Sequence, residues 1–135
     1  MHVLDTNSVS YFFRGEPGVV ERMMAHSPAE IGVPAIVIYE LRAGLLRLPA
    51  GAARTERLAA LRVFLMPLEI LPFDEPAADE AADIKAGLQA SGSLIGPHDI
   101  LIAATARANR ATLVTHNVRE FSRVPELLIE DWHRV

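Results

Sequence analysis

His2-Val3-Leu4-Asp5, followed by Thr6-Asn7-Ser8, is the stretch on which the reading of the fold turns. A short β-like run stops at a carboxylate, and the polar cluster behind it is of the kind that starts helices, so a strand-to-helix junction is expected at Asp5. A second junction of this kind is expected far along the chain. Thr112-Leu113-Val114-Thr115 carries a strong buried-strand signal and runs straight into polar His116-Asn117.

Strands and helices alternate between these points. A helix through Tyr11 and Phe13 breaks near Gly15-Glu16-Pro17, and a second spans Val19 to Met24. Ile31-Gly32-Val33 reads as a strand. From Pro34, suited to a first helical turn, a helix runs towards Leu46, and Pro49 and Gly51 end it. A helix from about Arg54 to Leu65 places Leu58, Leu61 and Leu65 on one apolar stripe. Leu68 to Phe73 reads as a strand, and Pro76 opens an alanine-rich helix to about Ala90. After Ser91-Gly92-Ser93, Asp99 lies at the start of a helix that continues from Ile100 to about Asn109, and Leu127 to Ile129 is a last short strand. The alternation implies an α/β domain with a largely parallel sheet and right-handed crossovers. Ligands bind such sheets beyond the carboxyl ends of the strands, which puts Asp5 and Thr115-His116-Asn117 on one functional rim.

With 135 residues, 50% of them hydrophobic, the chain suits one domain with a real core and is too short for two. No apolar run approaches the roughly 20 residues of a membrane span, and no basic leader precedes the first strand, so a soluble, cytoplasmic protein is expected. With no cysteine, thiolate zinc sites and thiol nucleophiles are excluded. The five histidines show no i,i+3 or i,i+4 pair, so any metal site is read as oxygen-rich, which suits Mg²⁺ or Mn²⁺. A net charge of −4 argues weakly against a general nucleic-acid binder. Carboxylates gathered around a metal would neutralise much of that charge locally, leaving the arginines to meet RNA. Arginine supplies every basic residue except Lys85.

Asp5, Glu40 and Asp99 are the acidic residues with the most telling positions. Asp5 ends a strand where a carboxylate can enter the crevice, although a turn or capping aspartate reads the same way. Glu40 interrupts the apolar stretch Ile36-Val37-Ile38-Tyr39-Glu40-Leu41, where a buried carboxylate is costly unless paired or metal-bound; a solvent-facing side chain is the alternative. Arg47, seven residues on and about 10.5 Å along the helix axis, is placed for a phosphate beside the metal. Asp99 heads a helix whose same-face followers, Ala103 and Ala106, are expected to leave space before the carboxylate; an interaction with the helix dipole is the bland reading, and the two are compatible. Asn117 and Glu120 are candidates for a further oxygen and a fourth carboxylate. Thr6, Ser8 and Thr115 are candidates for hydrogen bonds that orient the ligands, or else caps and turn residues.

Four segments occur in a telling order: Leu4-Asp5-Thr6-Asn7, Tyr39-Glu40-Leu41-Arg42-Ala43-Gly44, Ile95-Gly96-Pro97-His98-Asp99-Ile100-Leu101-Ile102-Ala103-Ala104, and Leu113-Val114-Thr115-His116-Asn117-Val118-Arg119-Glu120-Phe121. Together they resemble the PIN-domain ribonucleases, specifically the VapC-type toxins of bacterial toxin–antitoxin pairs, and the likeness continues to Leu128-Ile129-Glu130-Asp131-Trp132. The resemblance implies a PIN-like α/β/α sandwich, with Asp5, Glu40 and Asp99 in one pocket that binds Mg²⁺ or Mn²⁺. It implies an RNA substrate, commonly a tRNA; the Ile-Gly-Pro-x-Asp segment is similar to that of toxins that cut initiator tRNA in the anticodon region. It also implies a VapB-like antitoxin and a homodimer as partners. Many PIN domains have an acidic residue where this chain has Asn117, so either Asn117 or Glu120, three residues later, completes the site.

The implied chemistry is in-line attack by metal-activated water on a phosphodiester, with Glu40 orienting the water or accepting its proton. Two other classes compete. A haloacid-dehalogenase-like phosphohydrolase also presents Asp from a strand end, but needs a second Asp where this chain has Asn7. An inactive PIN-like binding module is the other, and the joint presence of Asp5, Glu40 and Asp99 argues against it.

Overall fold

β1 (His2–Leu4) stands at the centre of a five-stranded sheet in a computed structural model that describes residues 1–133. Its neighbours are β2 (Ile31–Pro34) and β4 (Thr112–Val114); β3 (Glu69–Leu71) and β5 (Leu128–Glu130) form the edges, in the order β3-β2-β1-β4-β5. All four pairings are parallel, with Leu4 opposite Val114 and Val114 opposite Glu130. Apolar residues on both sides of the central strands explain the continuous runs in the sequence: Val3, Leu4, Val33 and Leu113 are fully buried. Gly32 on β2 has a packing reason. A Cβ there would come within 2.8 Å of Leu71 Cδ1 on the neighbouring strand.

Helices flank this sheet. α1 (Thr6–Phe13) and α2 (Pro17–Ala25) join β1 to β2, and a short 3₁₀ turn at Pro28–Glu30 leads into β2. α3 (Ala35–Leu46) and α4 (Ala52–Leu65) join β2 to β3. α5 (Glu75–Ala90) and α6 (Pro97–Ala108) join β3 to β4 and make the most extensive helix–helix contact, tied by Arg107 Nε donating to Glu80 Oε2 at 2.8 Å. A one-turn helix, α7 (Val118–Phe121), links β4 to β5. No described helix is long and apolar enough to cross a membrane.

The fold class and order of elements match the expectation, with local differences. Pro34 closes β2 and caps α3 instead of opening it. α6 begins at Pro97, so Asp99 lies inside its first turn. β3 is shorter than Leu68–Phe73, because as an edge strand it buries only Leu71. The stripe on α4 is real, though only Leu61 is fully covered. Ala103 and Ala106 are entirely buried; their small size lets α6 sit close to its neighbours, and it does not open the space before Asp99.

A candidate acidic active site

The strand order reverses at β1, where β2 lies on one side and β4 on the other. This is the switch point at which such sheets leave a crevice. β1 delivers Asp5 to it. Asp5 is the N-cap of α1, accepting from the Ser8 backbone N–H at 2.8 Å, and it is also almost wholly buried in the crevice. The capping reading therefore holds, and the same side chain faces the crevice. Burial pushes its carboxyl above the usual range, hydrogen bonds from Thr115 and Ser8 pull it back, and the Glu40 charge pushes it up further.

β4 delivers Thr115, which is fully buried. Its Oγ1 accepts from the Asn117 backbone N–H at 3.0 Å while its hydroxyl lies in hydrogen-bonding reach of Asp5, so the turn after β4 is tied directly to that carboxylate. Ser8 Oγ donates to Val114 O at 3.0 Å and fixes α1 to the same strand end. α3 and α6 touch, and the contact brings Glu40 towards Asp99. Glu40 Oε1 accepts from Thr6 Oγ1 at 2.6 Å, and its Oε2 lies 3.2 Å from His98 Nδ1. All three of the threonine and serine residues expected to orient ligands, Thr6, Ser8 and Thr115, touch the acidic groups or the strand ends that hold them.

Asp99 is the group on which the charges converge. Its carboxyl is raised to about 6, first by burial, then by the charges of Glu120, Glu40 and Asp5, with His98 acting the other way. The side chain folds back over Gly96, where a Cβ would sit 3.3 Å from Asp99 Oδ2. That glycine, and not the alanines along the helix, provides the room the carboxylate uses. Asn117 reaches the cluster through Glu120. Its Nδ2 donates to Glu120 Oε2 at 3.2 Å, and Glu120 is the charge that Asp99 feels most strongly. Sequence reasoning left His98 and Gly96 without a role; the signal for both was adjacency to Asp99 within Gly96-Pro97-His98-Asp99.

Among the described residues, no three His, Asp or Glu side chains close on one point as a ready coordination shell. Asp5, Glu40 and Glu120 all act on Asp99, a set of donors that nevertheless has the chemistry of a divalent-cation site, and the Gly96 cradle keeps space at Asp99. Mg²⁺ fits such a donor set, since it keeps several waters and is bound through only one or two carboxylates.

A PIN-domain family model matches residues 2–127, nearly the whole described chain. The chain belongs to the PIN-domain family. Its relatives include the tRNA(fMet)-specific endonuclease VapC of Salmonella typhimurium, 32% identical over 130 residues and covering 96% of each chain, and Ribonuclease VapC2 of Haemophilus influenzae, 36% identical over 135 residues and covering 97% of each. Among solved structures, VapBC2 from Rickettsia felis bound to a DNA fragment from its promoter superposes with a TM-score of 0.88 at 30% identity, covering 97% of this chain and 98% of that one. For this PIN domain the likeness thus spans the crevice, both strand ends that build it, and the edge strand β5.

Proposed function

We propose that this PIN domain is a divalent-metal-dependent endoribonuclease, the toxin of a toxin–antitoxin pair, acting on tRNA. The observation that carries the reading is the convergence of Asp5, Glu40, Asp99 and Glu120 at the switch point of the sheet. Asp5, Glu40 and Asp99 are the groups that would hold Mg²⁺ or Mn²⁺. When bound, such an ion supplies Lewis-acid polarisation of the phosphate and activation of water. The chain's own residues do the positioning. Ser8 and Thr115 hold Asp5 ionisable in a buried place, Thr6 and His98 fix the two oxygens of Glu40, and Asn117 steadies Glu120 as the fourth charge. Glu40, only half-buried, is the group placed to orient water or accept its proton.

A groove of about 600 Å³ leads away from Glu40 and Thr6 between α1, α3 and α4. Its walls are apolar, from Phe13, Leu41, Leu45 and Leu61, with Arg14 and Arg57 among them. The VapBC and Fit complexes among the structural relatives are named as assemblies of two components, which supports an antitoxin as the occupant. A segment seated there ends beside the acidic cluster, where an arginine would satisfy carboxylates bidentately and exclude a metal. Incubation of the pure protein with total RNA, with and without Mg²⁺, followed by mapping of new ends, tests the function. Discrete Mg²⁺-dependent cuts in tRNA are expected; no cleavage by folded protein overturns the ribonuclease, and cuts confined to other RNAs overturn the tRNA assignment.

A further inference from the structure

Two rings frame the acidic cluster from outside, each next in sequence to a carboxylate. Tyr39 precedes Glu40 on α3 and is 56% exposed; His98 precedes Asp99 on α6, with 45% of its side chain exposed. Their centroids are 5.6 Å apart with the planes at 89°, and the His98 ring is held by its contact with Glu40. The pair bridges the two helices at the lip of the site, leaving ring surface open to solvent. Arg42 lies three residues beyond Tyr39, hence on the same helix face; it is exposed and forms no ion pair among the described residues.

A flat aromatic surface, a fixed imidazole and a guanidinium beside a phosphodiester-cleaving site match the elements by which unpaired nucleotides are recognised: bases stack on rings and phosphates pair with Arg. We infer that Tyr39, backed by His98, stacks the nucleobase next to the scissile phosphate, and that Arg42 holds a neighbouring phosphate. The inference rests on the ribonuclease reading above. A base inside an A-form duplex is already stacked between its neighbours, so this platform selects unpaired segments, and it tolerates any base because every base has a π-face.

The test is a binding titration of a fluorescein-labelled mixed-sequence oligoribonucleotide, single-stranded or annealed to its complement, with Asp99→Asn protein in Mg²⁺ so that nothing is cut. The single strand should bind about tenfold more tightly than the duplex, a Tyr39→Leu addition should erase that difference, and Tyr39→Phe should keep it. Arg42→Gln should weaken single-strand binding and lower its salt slope by about 0.7. Equal affinity for strand and duplex in the Asp99→Asn protein, or a preference that survives Tyr39→Leu, overturns the platform; an unchanged slope in Arg42→Gln removes Arg42 from it. Cleavage of total RNA by the chain with Asp99 intact reports separately on the ribonuclease. Cleavage together with a Tyr39-independent preference sinks the platform alone, while a Tyr39-dependent preference without cleavage sinks the ribonuclease reading alone.

Discussion

α6 and α3 are both twelve-residue helices that bring one carboxylate to the same crevice, and they are anchored in opposite ways. α6 buries Ile100 and every residue from Ile102 to Ala106, and Arg107 clamps it to α5. α3 buries Val37 alone and leaves Tyr39 and Leu46 exposed; α4 behind it exposes Val63, and its C-cap Met66 is exposed too. Half of the site is therefore set in the core, and the other half stands on a surface whose apolar side chains are left uncovered. The difference separates two tasks. The α6 side fixes the position of charge, and the α3–α4 side is available to whatever binds.

The largest effect expected falls on the chemistry. Asp99→Asn or Asp5→Asn should lower RNA cleavage by on the order of a hundredfold or more while circular dichroism shows an intact fold. EDTA should do the same to the parent chain. Full activity in Asp99→Asn at low Mg²⁺ would take the α6 half out of the mechanism.

Stability should divide the two halves next. Ile102→Ala opens a cavity in the core and should cost about 2–5 kcal/mol in denaturant unfolding. Leu46→Ala or Met66→Ala removes an exposed side chain and should fall within about 0.5 kcal/mol. Equal losses in all three would erase the contrast between a packed half and an open one.

A smaller effect concerns the unneutralised charge. The Asp99 carboxyl rises from 3.8 to about 6 on folding, so its protonated form is favoured in the native state. Its contribution to stability is complete below about pH 4 and is lost as the pH climbs through about 6. In EDTA the melting temperature should fall across that window, and Asp99→Asn should flatten the fall and melt higher than the parent at pH 7. Mg²⁺ should raise the parent's melting point, by the equivalent of about 2.7 kcal/mol at a hundredfold excess over Kd, and move the variant less. Melts of both proteins across pH and Mg²⁺ check this; parallel curves would mean that Asp99 does not share a pocket with the other acids.

The smallest expected difference separates Glu120 from Asn117. Glu120→Gln removes a charge that Asp99 feels directly, whereas Asn117→Ala removes only its support, so the first should weaken Mg²⁺ dependence more. The reverse order in a Mg²⁺ titration of cleavage would make the asparagine oxygen the one that matters.

The parallel sheet was legible because its central strands are buried on both faces and read as unbroken apolar runs, and because polar residues follow β1 and β4 at once. Asp5, Glu40 and Asp99 stood out as charges against apolar sequence: Asp5 after a strand, Glu40 within an apolar helix, and Asp99 before one. What pattern does not carry is the partnership of residues far apart in the chain. His2 lies 2.7 Å from Glu130, and His26 stacks on Trp132, yet the histidines look scattered when read in order. The hydrogen bond that makes Asn117 a support for Glu120 depends on a single helical turn, α7, too short to leave a periodic signal.

The placement of the first strand has a consequence for biosynthesis. Asp5 leaves the ribosome long before β4, and its strand is incomplete until β4 docks beside it, through contacts such as that between Ser8 and Val114, 106 positions apart. At about 5–20 residues per second, that interval lasts on the order of 5–20 s. Throughout it the nascent chain carries Asp5 and Glu40 without Thr115 or Glu120 to set them. The charges of the crevice are thus set only once β4 has left the ribosome, and a product truncated before β4 lacks the partners that hold Asp5.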